Sequence, residues 1–230
     1  KKLCIENKIP YAIFVQNGYC LNPTNNYKIL DEVYKKAKFI LSYSKDISNC
    51  VKLSFKDSKK KILNTNISID INKFNLKVKK ENIITYMPRK LPSHSENLIF
   101  FLRSNLPKKW KIKPLHNLSE KDIYKNLLKS KIFLSFSDME GLGIPPIEAA
   151  LAGNRVIGYH GRGGLEYWRK PIFTGIQHGD ISKFVSEILK QINDTKFNKN
   201  LHIHRKKILN KYSIFQEKKH LIKMIKKIKQ

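Results

Sequence analysis

Residues Met139–Gly153 read MEGLGIPPIEAALAG. The stretch sets two of the chain's 18 acidic residues, Glu140 and Glu148, around a glycine-rich turn, in a 230-residue chain with 46 Lys and Arg. The apolar run KIFLSFS (131–137) leads into it, and Pro145 and Pro146 follow. Proline is tolerated in the first turn of a helix, where its missing N–H would be unpaired anyway, so a helix begins at about this point. The amides of Gly141, Leu142, Gly143 and Ile144 then lie at the positive end of that helix and at the carboxyl edge of a sheet. An anion such as a diphosphate is held there by backbone N–H groups, and glycine lets the backbone come close to it.

Other glycine-loop readings fail in detail. The chain has no G-x-x-x-x-G-K-[ST], and GLGIPP has proline where the dinucleotide fingerprint needs its third glycine; GRGGLE (161–166) fails similarly. What remains is an anion-binding turn bracketed by carboxylates. An ionised Glu only accepts hydrogen bonds, so beside a diphosphate it is favourable only where it meets neutral donors such as hydroxyls. A nucleotide sugar has polyhydroxyl groups on both sides of its diphosphate. Taken singly, Glu148 is a favourable acid near a helix N-terminus, worth under about 1 kcal/mol, and Glu140 a loop carboxylate. The constellation as a whole carries the reading.

Outward from the turn, periodicity predicts strands at 11–17, 39–44, 81–87, 110–115, 131–137 and 155–160. Helices are predicted at 29–37, 94–106, 119–130 (with Ser119 as N-cap) and from Pro145 onward. Strand–helix alternation from residue 81 implies right-handed βαβ units, hence an α/β class with a Rossmann-like parallel sheet and helices on both faces. The polar, Lys- and Asn-rich segment 54–82 reads as the junction between two lobes. The tail from Lys199 carries eleven basic residues and one acid, with Leu221, Ile222, Ile225 and Ile228 at helical spacing. It reads first as a terminal helix packing one face on the body, and otherwise as a helix lying on an anionic membrane surface.

The net charge of +28 ordinarily points to a polyanion. Here the bases are 40 Lys and only 6 Arg beside about twenty Asn, which fits the codon bias of an AT-rich genome, and bidentate base readers rely on Arg. No nucleic-acid partner is expected, and a basic nucleic-acid-binding protein is carried only as an alternative. Cys4, Cys20 and Cys50 form no metal-ligand spacing, and His202 with His204 has no third ligand, so no metal is expected. A reduced, cytoplasmic setting follows, and a start at KKLCIENKIP implies a chain that begins inside a longer protein.

The run EGLGIPPIEAALAGNRVIGYHGRGGLEYW (140–168) resembles the donor-site signature of GT-B-fold glycosyltransferases of the retaining, family-four kind. It has the E-x7-E pair, the small-residue helix, the A-L-A-G run (150–153) before the next strand and a closing GG-x-E. The resemblance implies that Glu140 contacts hydroxyls of the transferred sugar as the catalytic residue. It further implies that Glu148 holds the nucleotide's ribose and that the amides of Gly141, Leu142, Gly143 and Ile144 hold the diphosphate. Arg89 and Lys90 of YMPRK stand where the family carries a basic pair on the diphosphate. The family's Lys usually falls several residues after its Arg, where this chain has Ser93 and His94. Backbone near His116–Leu118 is expected to approach the base, and His160 and Arg162 could touch phosphate. FVQNGY and ILSYSKD resemble the end of the acceptor lobe, and NTNISIDINKF the linker, with Ser68 in place of a glycine. The implied arrangement is the last part of an acceptor lobe and linker over 1–70, a donor lobe over 71–215 and a basic helix over 216–230, with most of the N-terminal lobe missing. The implied reaction is transfer of a hexosyl-type sugar from a nucleotide-diphosphate sugar to a glycan or lipid-linked acceptor, with retention and without metal or other cofactor. A non-catalytic nucleotide-sugar-binding module is the second alternative.

Overall fold

Two parallel sheets organise the chain in a computed structural model that describes residues 4, 6–22, 26–74, 78–194 and 201–229. The first sheet has strands β1 (Ala12–Val15), β2 (Phe39–Ser42) and β3 (Ile62–Asn64) in that order, connected through α1 (Tyr27–Lys36) and α2 (Lys45–Ser54). Both helices begin at side-chain caps. Asn26 Oδ1 accepts from the Ile29 amide at 3.2 Å and Ser44 Oγ from the Ile47 amide at 3.1 Å, each satisfying an N–H that no carbonyl can reach. Apolar faces of α1 and α2 close over Ile13, Val15 and Ile40, with Tyr34 and Phe55 stacked at 3.9 Å.

The second sheet begins with β4 (Glu81–Tyr86), followed by α3 (Pro92–Arg103), β5 (Lys111–Pro114), α4 (Glu120–Lys129), β6 (Ser130–Glu140), α5 (Ile144–Leu151), β7 (Arg155–Arg162) and β8 (Phe173–Gly175). Helices α6 (Ile181–Asn193), α7 (Leu201–Lys211) and α8 (Ile214–Lys229) complete the chain. The strand order is β5-β4-β6-β7-β8, and every pairing is parallel. Because successive strand residues face opposite sides, Ile132, Leu134 and Phe136 of β6 join α3 and α6 in one core, while Phe133 joins α4, α5, Ile208 and Tyr212 in the other. The sheet therefore has helices on both faces, as the alternation predicts. The chain leaves β4 toward its β5 side and later returns across it to β6, so a crevice opens between the carboxyl ends of β4 and β6, the switch point where parallel sheets bind ligands.

Three features differ from the sequence reading. Strand β6 continues through Asp138 and Met139 to Glu140, beyond the expected end at Ser137, because β7 runs on to Arg162 and keeps Glu140 paired; the register slips between Ser137 and Glu140, and Met139 takes a φ of 44°. Inside the polar junction segment, residues 62–64 form β3 and add to the first sheet. The tail is two helices broken at Tyr212 and Ser213, with buried Tyr212 anchoring the break and Ser213 Oγ accepting from the Gln216 amide at 3.3 Å. Lys199, where the tail reading begins, lies outside the described residues, as does the side chain of Ile228. The expected burial of the apolar stripe of α8 is not found: Phe215 is 68% exposed, Ile222 56% and Ile225 48%, while Gln216, His220 and Met224 form the half-buried side.

Candidate functional site

Glu148 sits in the second turn of α5 and Tyr124 in the facing α4. The Tyr124 hydroxyl lies 3.0 Å from Glu148 Oε1 and 2.8 Å from Glu120 Oε1, so its single proton serves one carboxylate at a time. Lys73 Nζ approaches Glu120 Oε1 at 2.7 Å and the Tyr124 oxygen at 3.3 Å. Burial raises the Glu148 carboxyl above its ordinary range, opposed by the Tyr124 hydrogen bond and the charge of Lys73. Burial, the Glu120 hydrogen bond and the charge of Glu148 together raise the Tyr124 phenol. These groups, with Ser68, Asp70 and Ile144, line a cavity of about 650 Å³.

Glu140 ends β6 on the other side of the turn. Its Oε1 lies 3.0 Å from Lys90 Nζ, and Arg89, Lys90, Ser137, Pro145 and Pro146 surround it in a smaller pocket of about 80 Å³. Ile144 lines the first pocket and Pro145 the second, so the start of α5 divides them. The two prolines occupy the first turn, as the sequence predicts. Gly143 precedes them at φ 78°, a left-handed conformation that glycine adopts without penalty, and its carbonyl accepts from the Tyr167 hydroxyl at 2.6 Å.

The other predicted positions have mixed environments. Gly141 and Leu142 are buried. A Cβ on Gly141 would fall 2.4 Å from the Gln16 carbonyl oxygen, so the close approach this glycine makes is to the backbone of the first lobe. Asn17 Nδ2 donates to the Met139 carbonyl at 3.1 Å across the same junction, and Glu166 of the GG-x-E accepts from the Lys45 amide at 2.5 Å at the start of α2. Leu118 is half-buried against the core beneath α4 and α5, after Asn117 with φ 52°. His94, where the family usually carries its Lys, turns away to Tyr159, 3.2 Å from its hydroxyl, leaving Lys90 as the lysine beside Glu140. His160 Nδ1 accepts from the Arg162 amide at 3.1 Å. The sequence reading missed Lys73, Glu120 and Tyr124. Glu120 and Tyr124 are one helical turn apart, a visible signal, but Lys73 comes from a segment without periodicity. Among the described residues no group of three or more His, Cys, Asp or Glu could hold a metal, and no helix is long and apolar enough to cross a membrane.

No protein-family model matches the chain, and no curated protein matches it by sequence. Solved structures do match. HepE of Anabaena, crystallised with UDP and glucose, superposes with a TM-score of 0.76 at 12% identity over 97% of this chain and 73% of its own. TarM of S. aureus, crystallised with UDP and α-GlcNAc-glycerol, gives 0.68 at 16% over 87% and 46%. The pneumococcal O-GlcNAc transferase GtfA, crystallised with UDP and GlcNAc, gives 0.67 at 15% over 99% and 54%. The chain thus spans between about half and three quarters of these proteins. The fold is that of the GT-B glycosyltransferases, with one five-stranded parallel-sheet lobe and part of a second lobe.

Proposed function

We propose that this chain is the nucleotide-sugar lobe of a glycosyltransferase, with the adjoining part of its acceptor lobe, and that it transfers a hexosyl-type sugar from a nucleotide-diphosphate donor to a glycan or lipid-linked acceptor with retention. The observation that carries this reading is the division of Glu140 and Glu148 between two pockets by the first turn of α5, at the switch point of the sheet. A ligand with hydroxyls at both ends and a diphosphate between them matches that layout. Ribose hydroxyls would donate to Glu148, and the diphosphate would lie at the α5 N-terminus against Arg89 and Lys90, with Leu118 toward the base. As the sugar–phosphate bond breaks, charge gathers on the leaving diphosphate. Fixed amide dipoles and the two cations stabilise it, each such donor being worth about 10²–10³ in rate. Transfer of Lys90 from Glu140 to the diphosphate leaves the Glu140 carboxylate to accept from sugar hydroxyls. In this reading the chain's own cations neutralise the leaving group, and no metal or other cofactor takes part.

The exposed apolar stripe of α8 among its lysines supports a second element, contact with an anionic membrane surface bearing the acceptor. The direct experiment is titration of the full-length protein with nucleotide-diphosphate sugars while following release of the nucleoside diphosphate. Specific binding with turnover supports the reading. Binding without turnover would favour the non-catalytic module.

A further inference from the structure

Lys80 precedes β4, and its ammonium reaches three backbone carbonyls: Ala152 O at 2.6 Å, Ser130 O at 2.7 Å and Leu127 O at 3.1 Å. Leu127 lies in the last turn of α4, Ser130 is its C-cap, and Ala152 is the C-cap of α5. Such carbonyls lack an intrahelical donor and carry the negative end of the helix dipole, so a cation placed among them is held by two helices at once. The charged group acting on Lys80 is another cation, Arg205, and burial together with that guanidinium lowers its pKa to about 7. The carbonyls at the two helix ends are the hydrogen-bond partners of its donors. Asn154 reinforces the junction, donating to Leu127 O at 2.8 Å and Ala149 O at 2.9 Å while accepting from Ser130 Oγ at 2.5 Å. Gly153, at φ 87°, leaves room, since a Cβ there would lie 3.3 Å from Lys80 Cε.

The same two helices carry Tyr124 and Glu148. Tyr124 lies about one turn before Leu127, and Glu148 one turn before Ala152, whose amide donates to the Glu148 carbonyl at 2.8 Å. We propose that Lys80 is a positioning residue for the nucleoside end of the site. By joining the carboxyl ends of α4 and α5 it fixes their relative height and keeps the Tyr124 hydroxyl on the Glu148 carboxylate. The placement of the helices stands by itself; its effect on ligand binding rests on the donor-site reading. Lys80 touches neither ligand nor Glu148, so its influence travels through the helices.

The test uses the full-length protein, Lys80→Met, which keeps the length and removes the donors, and Lys80→Arg, which restores charge and donors. Ring signals of Tyr124, assigned with Tyr124→Phe, are titrated without ligand, and UDP and inorganic pyrophosphate are titrated as separate probes. In Lys80→Met the Tyr124 phenol shifts down as the charge of Glu148 moves away, while burial and the Glu120 hydrogen bond still hold it above the ordinary tyrosine range. UDP affinity falls about tenfold while pyrophosphate affinity holds, and Lys80→Arg recovers both signals. An unchanged Tyr124 titration in a folded Lys80→Met protein overturns the inference, as does an equal loss of UDP and pyrophosphate. If the parent binds no UDP, the donor-site reading fails and the Tyr124 titration alone decides the role of Lys80. If Lys80→Met does not fold, the uncharged Lys80→Gln, whose shorter side chain has two donors for the three carbonyls, takes its place, with smaller shifts expected in the same directions and unchanged signals overturning the inference.

Discussion

The Tyr124 hydroxyl lies 3.0 Å from Glu148 Oε1, joining α4 to α5 at the mouth of the larger cavity. The bond favours the carboxylate, while burial favours the acid and dominates, leaving the Glu148 pKa above the ordinary range. The ionised form only accepts, whereas the acid gives up one oxygen as a donor, so ribose hydroxyls are best met by the carboxylate. UDP affinity should therefore fall as pH drops through this raised pKa, and Tyr124→Phe should move the fall to higher pH. Calorimetry across pH checks both, and identical profiles for parent and variant contradict the assignment. The stability effect has the opposite sense. The folded state holds its proton at pH values where the unfolded chain has lost it, so the Glu148 contribution to stability decreases as pH rises from the ordinary carboxylate pKa through the raised one. Glu148→Gln should remove that decrease in thermal melts.

Replacing Glu148 with Ala removes a charge-assisted acceptor worth about 1.5–3 kcal/mol, so nucleotide-diphosphate affinity should fall roughly ten- to a hundredfold. Unchanged affinity in a folded Glu148→Ala protein excludes the ribose role.

Glu140 and Lys90 should separate by ligand. Glu140→Gln should lower turnover and sugar-nucleotide affinity while sparing the free nucleotide, whereas Lys90→Met should weaken both nucleotides through the diphosphate and lower kcat by about 10²–10³. Equal losses of sugar-nucleotide and free-nucleotide affinity in Glu140→Gln would show that this carboxylate does not read the sugar.

Gly141→Ala tests the junction between lobes. Its Cβ would meet the Gln16 carbonyl oxygen at 2.4 Å and Ile47 Cδ1 at 2.9 Å, so the turn and β1 cannot both stay in place. A destabilisation of about 1–3 kcal/mol is expected, read as a lowered Tm. A variant as stable as the parent would mean that the two segments do not pack as described.

Much of this arrangement is legible in the sequence because the signals are local. Proline placement marks the α5 start, Ser119 marks the α4 start through its bond to the Asp122 amide at 3.2 Å, and short apolar runs mark β4 and β6. What escapes is set by partners distant in the chain. The extension of β6 to Glu140 depends on β7, and the use of Gly141 depends on Gln16, 125 positions earlier. Lys73 reaches Glu120 from an aperiodic segment. The apolar stripe of α8 is visible as a period, but a period does not say whether the body or something else meets it.

For α8, reversing Lys223, Lys226 and Lys227 to Glu leaves the apolar stripe intact. If the helix meets an anionic membrane, the parent should sediment with acidic vesicles, less so in high salt, at about 1 kcal/mol per basic residue near the surface. The reversed protein should lose that binding at equal thermal stability. Equal sedimentation of the two proteins removes the membrane role and leaves the charge compositional.

The central claim is that one ligand spans both carboxylates across the start of α5. The most direct measurement is a crystal structure of this protein soaked with a nucleotide-diphosphate sugar that calorimetry shows to bind. The account predicts ribose hydroxyls on Glu148, diphosphate oxygens at the Gly143 and Ile144 amides and near Arg89 and Lys90, and sugar hydroxyls on Glu140. A nucleotide bound elsewhere, or one whose diphosphate lies away from the α5 N-terminus, would contradict it.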